Sequence, residues 1–315
     1  MGNYVVVARK IMNEVQKVVL GKDDIIEKVL MAMLAKGHIL IEDIPGVGKT
    51  TLALAFSKAT ALEHHRMQFT PDVLPTDVVG FTILDKNNEF EYKPGSILCN
   101  LFLADEINRT SSKTQSALLE VMEESKVTVD GVTREVPKPF VVIATQNPVG
   151  SIGTQMLPES QLDRFMVKLT MGYPDINHEI NMLKGRQNCN PMDLVEKVAV
   201  AEDIINMQNE VELVYLHDVI YSYIANLVKA TREHPLIQLG VSPRGTIAIN
   251  SMCKARAFLK ERDYVIPEDV ASVFRDVVAH RILLNPKARV NHVTVDNLIE
   301  DLLKQVPVPM ISSKK

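Results

Sequence analysis

Residues 42–50, EDIPGVGKT, constrain this 315-residue chain more than any other stretch. They follow a short apolar run, His38–Ile41, that reads as a buried strand, and they lead into Lys49–Thr60, which reads as a helix. Strand, glycine loop and helix in that order can fold backbone N–H groups inward around a phosphate, and the helix N-terminus adds a favourable field. Lys49 is expected to neutralise the β- and γ-phosphates, and Thr50 to offer its hydroxyl to Mg²⁺. The general pattern G-x-x-x-x-G-K-[ST] asks for glycine first, and that position holds Asp43. Either the loop is degraded or aspartate belongs there.

The run NLFLADE at residues 100–106 is the second signal. An apolar strand ends in two adjacent carboxylates. At the tip of a parallel strand Asp105 can hold Mg²⁺, and Glu106 can orient or deprotonate the attacking water. Neighbouring side chains on a strand diverge, so both can serve the site only if the strand ends and turns there. Next, Ser111 or Ser112 can cap a helix reaching about Glu124, with Leu118, Leu119 and Met122 on its inner face. VTVDGVTREV alternates around Asp130-Gly131, a two-residue hairpin signal, at about 126–136. FVVIAT is a buried strand ending at Gln146-Asn147-Pro148, and Asn147 can touch the γ-phosphate or the water.

Composition narrows the class. The chain is 46% hydrophobic and 23% charged, ordinary for a globular protein of about two domains. It has no apolar run of ~18 residues and no apolar core of a signal peptide, so a cytoplasmic location without membrane insertion is expected. A formal net charge of -4 gives no general pull toward nucleic acid. Cys99, Cys189 and Cys253 lack the paired spacing of metal or disulfide sites and read as small buried hydrophobes. The histidines are scattered without metal-ligand spacing.

EDIPGVGKT, QFTPDVLPTDVVG, LFLADEINR, KTQSALLEVMEE, VTVDGVTREV, IATQNP, LPESQLDRF, ATREHP, SPR and RDYVIPEDV follow one another from Lys36 to Val270. In order and spacing they resemble the MoxR family of AAA+ ATPases, whose loop is commonly written E-D-x-P-G-x-G-K-T. Asp43 therefore fits the family pattern. Aspartate tolerates left-handed backbone, which is the expected reason that it replaces glycine there. The resemblance implies an α/β fold: a P-loop AAA+ core with a parallel central sheet flanked by helices, followed by an all-α lid. The core is expected over 1–172, with a hairpin insertion at about 70–98, and the lid over 173–315. The expected nucleotide-binding residues are Asp43, Ile44, Pro45, Gly46, Val47, Gly48, Lys49, Thr50 and Thr51, with Mg²⁺ on Thr50 and Asp105.

The resemblance also assigns roles to single residues. Glu106 is the expected base and Asn147 the first sensor. Arg164 in QLDRF matches the arginine finger offered to a neighbouring subunit, and Arg244 in SPRG matches a lid sensor reaching the γ-phosphate in cis. Arg109 is a candidate interface residue, and Gln68 a candidate switch holding Glu106 off water. Ser96 stands where family members often carry proline. The implied function is ATP-driven, chaperone-like remodelling or maturation of a partner by a homo-oligomer, expected to be a hexameric ring that binds ATP and ADP. Its client is expected to be a separate protein, often one with a von Willebrand factor A domain. The alternatives are an assembly switch with slow turnover and, less favoured because the hairpins carry few basic residues, a DNA-dependent helicase or helicase loader.

Overall fold

The computed structural model describes residues 2–44, 46–147, 156–185 and 190–309; Pro45, Pro148 and Cys189 lie outside the described residues. Two helices, α1 (Gly2–Gln16) and α2 (Asp23–Leu34), precede the sheet. In the first, Val5, Ala8, Ile11 and Val15 form one buried stripe at helical spacing. Then come β1 (Ile39–Glu42), α3 (Lys49–Thr60), β2 (His64–Gln68), α4 (Pro75–Val79), β3 (Gly80–Leu84), β4 (Phe90–Pro94), β5 (Leu101–Asp105) and α5 (Ser112–Glu124). They are followed by β6 (Lys126–Val129), β7 (Val132–Glu135), β8 (Val141–Gln146), α6 (Glu159–Leu162) and β9 (Val167–Leu169).

Five of these strands form one parallel sheet in the order β2-β5-β8-β1-β9. The residues of β5 and β8 are all buried, as expected for inner parallel strands covered on both faces. Alternation divides them cleanly. Ile39, Ile41, Leu101, Leu103, Val141 and Ile143 pack in the core shared by α1, α2 and α3. Leu40, Phe102, Ala104, Val142 and Ala144 pack with Leu118, Leu119 and Met122 of α5. The register sets Glu42 beside Gln146 and Gln68 beside Asp105, so the carboxyl ends of four strands share one edge. That edge carries the glycine loop, both acids and Asn147.

Both expected hairpins form. Asp130 and Gly131 take φ of 51° and 76°, the two positive values that a tight hairpin turn needs. In the other, β3 pairs antiparallel with β4. The Arg134 guanidinium stacks 3.7 Å from the Tyr92 ring centre and joins one hairpin to the other. Ser96 N–H donates to Asp77 O at 3.1 Å, a bond that proline at this position has no hydrogen to make.

Beyond β9 lie α7 (Ile176–Gly185), α8 (Ala201–Glu212), α9 (Asp218–Glu233), β10 (Ile237–Leu239), α10 (Pro243–Leu259), α11 (Pro267–Val278), β11 (Leu283–Leu284), α12 (Pro286–Val290) and α13 (Val295–Gln305). The all-helical expectation needs one correction: β10 and β11 form a small antiparallel ladder, Ile237 opposite Leu284 and Leu239 opposite Leu283. Segments of two or three residues carry no readable period, and only their meeting in space makes them strands. The buried residues of α8 to α11 belong to the same apolar core as α1, α2 and α3. The helical region is therefore packed against α1 and α2, and α11 meets the edge strand β9. No helix among the described residues is long and apolar enough to cross a membrane.

Candidate active site

At the carboxyl edge the loop glycines are where backbone geometry demands them. Gly46 and Gly48 have φ of 87° and 95°, and the space where a Cβ of Gly46 would sit is open for 4 Å. Gly48 caps α3, so the helix N-terminus faces into the loop. Lys49 is buried at 9% exposure, and its Nζ donates to Asp43 O at 2.7 Å. Burial pulls its ammonium below the ordinary range, against the favourable charges of Asp43, Asp105 and Glu106.

Asp105 closes β5 and is 5% exposed. Thr145 of β8 donates to its Oδ1 at 3.2 Å, while its Oδ2 accepts from Arg66 Nε at 2.7 Å and from Thr50 Oγ1 at 3.4 Å. The chain then turns. Glu106 takes φ of 56°, left-handed backbone costing about 1–2 kcal/mol for a residue with a Cβ, and its N–H is held by Thr145 Oγ1 at 2.9 Å. This turn lets two adjacent acids face one site. The Glu106 carboxylate accepts from Arg109 Nη1 at 2.7 Å. Burial acts to raise its pKa, but hydrogen bonds from Arg109 and Asn147 and the charges of Arg109 and Lys49 outweigh burial and hold it below the usual value.

Asn147 follows the last residue of β8. Its N–H and C=O are both held by the side chain of Asn108, at 3.3 and 3.2 Å, and its buried Oδ1 has no partner. Gln68 is exposed, and among the described residues it is Arg109 that grips the Glu106 carboxylate.

At the opposite end of the sheet, where β1 and β9 begin, a second polar cluster gathers. Arg164 Nε lies 3.0 Å from Glu123 Oε2, and Arg244 Nη2 donates to Glu123 Oε1. Both arginines line a cleft with Lys36, Gly37 and His38. Asp163 accepts from Ser242 Oγ at 2.8 and 2.9 Å and from Arg281 Nε at 2.8 Å. Arg281, only 4% exposed, also donates to the carbonyls of Asp163, Phe165 and Met166 at 3.0, 2.7 and 3.2 Å. Burial lowers its pKa while Asp163 opposes the shift.

Comparison with known proteins agrees with this geometry. Residues 38–167 match the profile "ATPase family associated with various cellular activities (AAA)", and 229–302 match "AAA lid domain". Over 310 residues the chain is 36% identical to Chaperone MoxR1 of Mycobacterium tuberculosis, covering 95% of this chain and 82% of that protein. It is 48% identical over 302 residues to YeaC of Bacillus subtilis, covering 96% and 94%. A crystal structure of a candidate ATPase from Cytophaga hutchinsonii superposes with a TM-score of 0.91 at 38% identity, covering 98% of this chain and 96% of that one. The chain belongs to the MoxR family of AAA+ ATPases.

Membership makes it a nucleotide-binding ATPase and leaves two local expectations to correct. Asp43 does not replace glycine by taking left-handed backbone, for it is absent from the positive-φ residues. Its carboxylate is what the fold uses, with Oδ1 accepting from Ile44 N–H at 2.8 Å and Oδ2 from Gly172 N–H at 2.6 Å. Arg244 does not reach the loop of its own MoxR chain. It sits with Glu123 and His38 at the start of β1, one four-residue strand, or roughly 13 Å, from the edge where the loop begins. Glu123, Asn108, Ser242 and Arg281 carried no local signal in the sequence. A polar residue near a helix end is ordinary until the fold shows what it meets.

Proposed function

We propose that this MoxR-type chain works as a ring, a hexamer by resemblance, that couples ATP hydrolysis to chaperone-like remodelling or maturation of a separate partner protein. The observation carrying the proposal is the separation of Arg164 and Arg244 from the glycine loop. Two arginines held side by side by Glu123, at the far end of the sheet from Lys49, suit presentation to the nucleotide of a neighbouring copy. In this reading Arg164 is the finger that stabilises charge on the transferred phosphoryl group. Arg244 joins it in trans.

The loop fits a nucleotide polyphosphate: open space at Gly46, a helix N-terminus at Gly48 and a desolvated Lys49. The oxygen donors Thr50 Oγ1 and Asp105 Oδ2, 3.4 Å apart, suit Mg²⁺, which would supply charge neutralisation at the phosphates. Glu106 is the proposed base, its depressed pKa keeping it ionised at neutral pH, and Asn147 orients water through its free Oδ1. The name of the mycobacterial relative supports a chaperone role, and the family resemblance favours a client with a von Willebrand factor A domain.

A second reading, an assembly switch with slow turnover, draws on the Arg109–Glu106 pair, which occupies the proposed base. A nucleic-acid motor is disfavoured: in the hairpins Arg134 stacks on Tyr92 and Lys93 pairs with Glu91. The deciding experiment is steady-state ATP hydrolysis with Mg²⁺ against protein concentration, for wild type and Arg164→Ala. Specific activity that climbs with concentration and collapses in the variant supports the shared site. Activity flat with concentration and indifferent to Arg164 would overturn the ring motor.

A further inference from the structure

We propose that Asp43 is a positioning residue that couples the nucleotide loop to the junction between the sheet and the helical region. The proposal rests on the ATPase reading of this site and assigns a job to the one position where this chain departs from the glycines of the general loop pattern. Asp43 is only 6% exposed, yet among the described residues its carboxylate accepts hydrogen bonds from two main-chain amides rather than from a cation. One oxygen holds Ile44 N–H inside the loop. The other holds Gly172 N–H at 2.6 Å, 129 residues away in sequence.

Gly172 lies in Met171-Gly172-Tyr173-Pro174, between the last sheet strand and the first helix beyond it, with φ of 63°. Its neighbours are held from the other side. Lys22 Nζ donates to Met171 O at 2.5 Å and to Tyr173 O at 2.9 Å. One carboxylate and one ammonium thus hold both polar groups of the Met171–Gly172 peptide and the Tyr173 carbonyl beyond it. Among charged hydrogen bonds such contacts are strong, and they fix a segment that has no secondary structure of its own.

The same aspartate touches the phosphate end. Its carbonyl accepts from Lys49 Nζ at 2.7 Å, so a single residue separates the proposed phosphate-binding lysine from the junction. When Lys49 shifts toward a nucleotide, the peptide it rests on is the one whose side chain holds Gly172. Glycine at position 43 keeps the phosphate cradle and severs this connection.

The test compares wild type, Asp43→Gly and Asp43→Asn. Binding of Mg-ADP is measured by titration, and exchange of the Gly172 amide is followed with and without Mg-ADP. In wild type the nucleotide changes Gly172 protection. With Mg-ADP at saturation, as set by each variant's own titration, Gly172 of Asp43→Gly exchanges on the order of tenfold or more faster than in wild type and ignores nucleotide. Asp43→Asn keeps the shape with one acceptor oxygen, so it covers the case in which glycine unfolds the loop; it too loses the nucleotide response. Wild-type protection and response in either folded variant overturn the proposal. Wild type that fails to bind Mg-ADP would instead sink the ATPase reading beneath it.

Discussion

Replacing Arg281 with methionine should loosen the helical region from the sheet by an amount the structure allows one to estimate. The side chain is 2% exposed and bonds the Asp163 carboxylate and three main-chain carbonyls of residues 163, 165 and 166. Removing one member of a buried ion pair costs about 3–5 kcal/mol, because the other charge stays buried without compensation. Asp163 keeps two contacts from the Ser242 hydroxyl and lies 3.7 Å from Arg244, which softens that loss. Methionine also fills most of the vacated volume. The lower end, about 3 kcal/mol, is therefore the expected cost, or a melting-point drop of about 6 °C or more at roughly 2 °C per kcal/mol for a chain this large. Urea denaturation of wild type, Arg281→Met and Arg281→Lys reads it directly. Lysine restores the charge without the planar fork and should recover only part of the stability. A loss under about 1 kcal/mol for methionine, or full rescue by lysine, would refute a geometry-specific clamp.

Glu106→Gln should retain ATP binding and cut turnover by on the order of 10²-fold or more, measured as single-turnover hydrolysis; a wild-type rate would remove Glu106 as the base. Arg109→Ala should free the Glu106 carboxylate and shift the acid limb of the rate–pH profile upward, since its pKa is depressed in part by Arg109; an unmoved limb would assign Arg109 elsewhere. Burial pulls His38 down to about 4 from 6.5, so the native state excludes a proton that the unfolded chain accepts. Its contribution is complete above pH 6.5 and is lost as pH falls toward 4, about 3 kcal/mol in all over 2.5 pH units. Denaturation midpoints for His38→Gln should flatten that slope, and a slope identical to wild type would place the proton uptake on another group.

Much of the site was legible because its signals are local. The loop, its preceding strand and its helix are contiguous, and a glycine with positive φ is written into the sequence by the absence of a side chain. The β5 acids could be placed for the same reason, as an apolar run stops where two carboxylates begin. Two adjacent acids can face one site only if the strand turns at Glu106, and the backbone does so at φ of 56°. The reason for Asp43 is not local. Backbone tolerance is a property of a residue type, whereas the bond to Gly172 spans 129 positions and has no local trace.

Sequence periodicity thus determined the longer strands, most helices and the order in which the chain lays them down, since those depend on neighbours within a turn or a pleat. It also determined which residues have the chemistry to hold phosphate, metal and water. Tertiary packing alone decided the distribution of those groups. It put Arg244 beside Arg164 and Glu123 at the far end of the sheet, and it buried Arg281 against Asp163. A charged side chain finds its partner only when folding brings two distant segments together, because its bonding directions are set by the space around it rather than by its place in the chain.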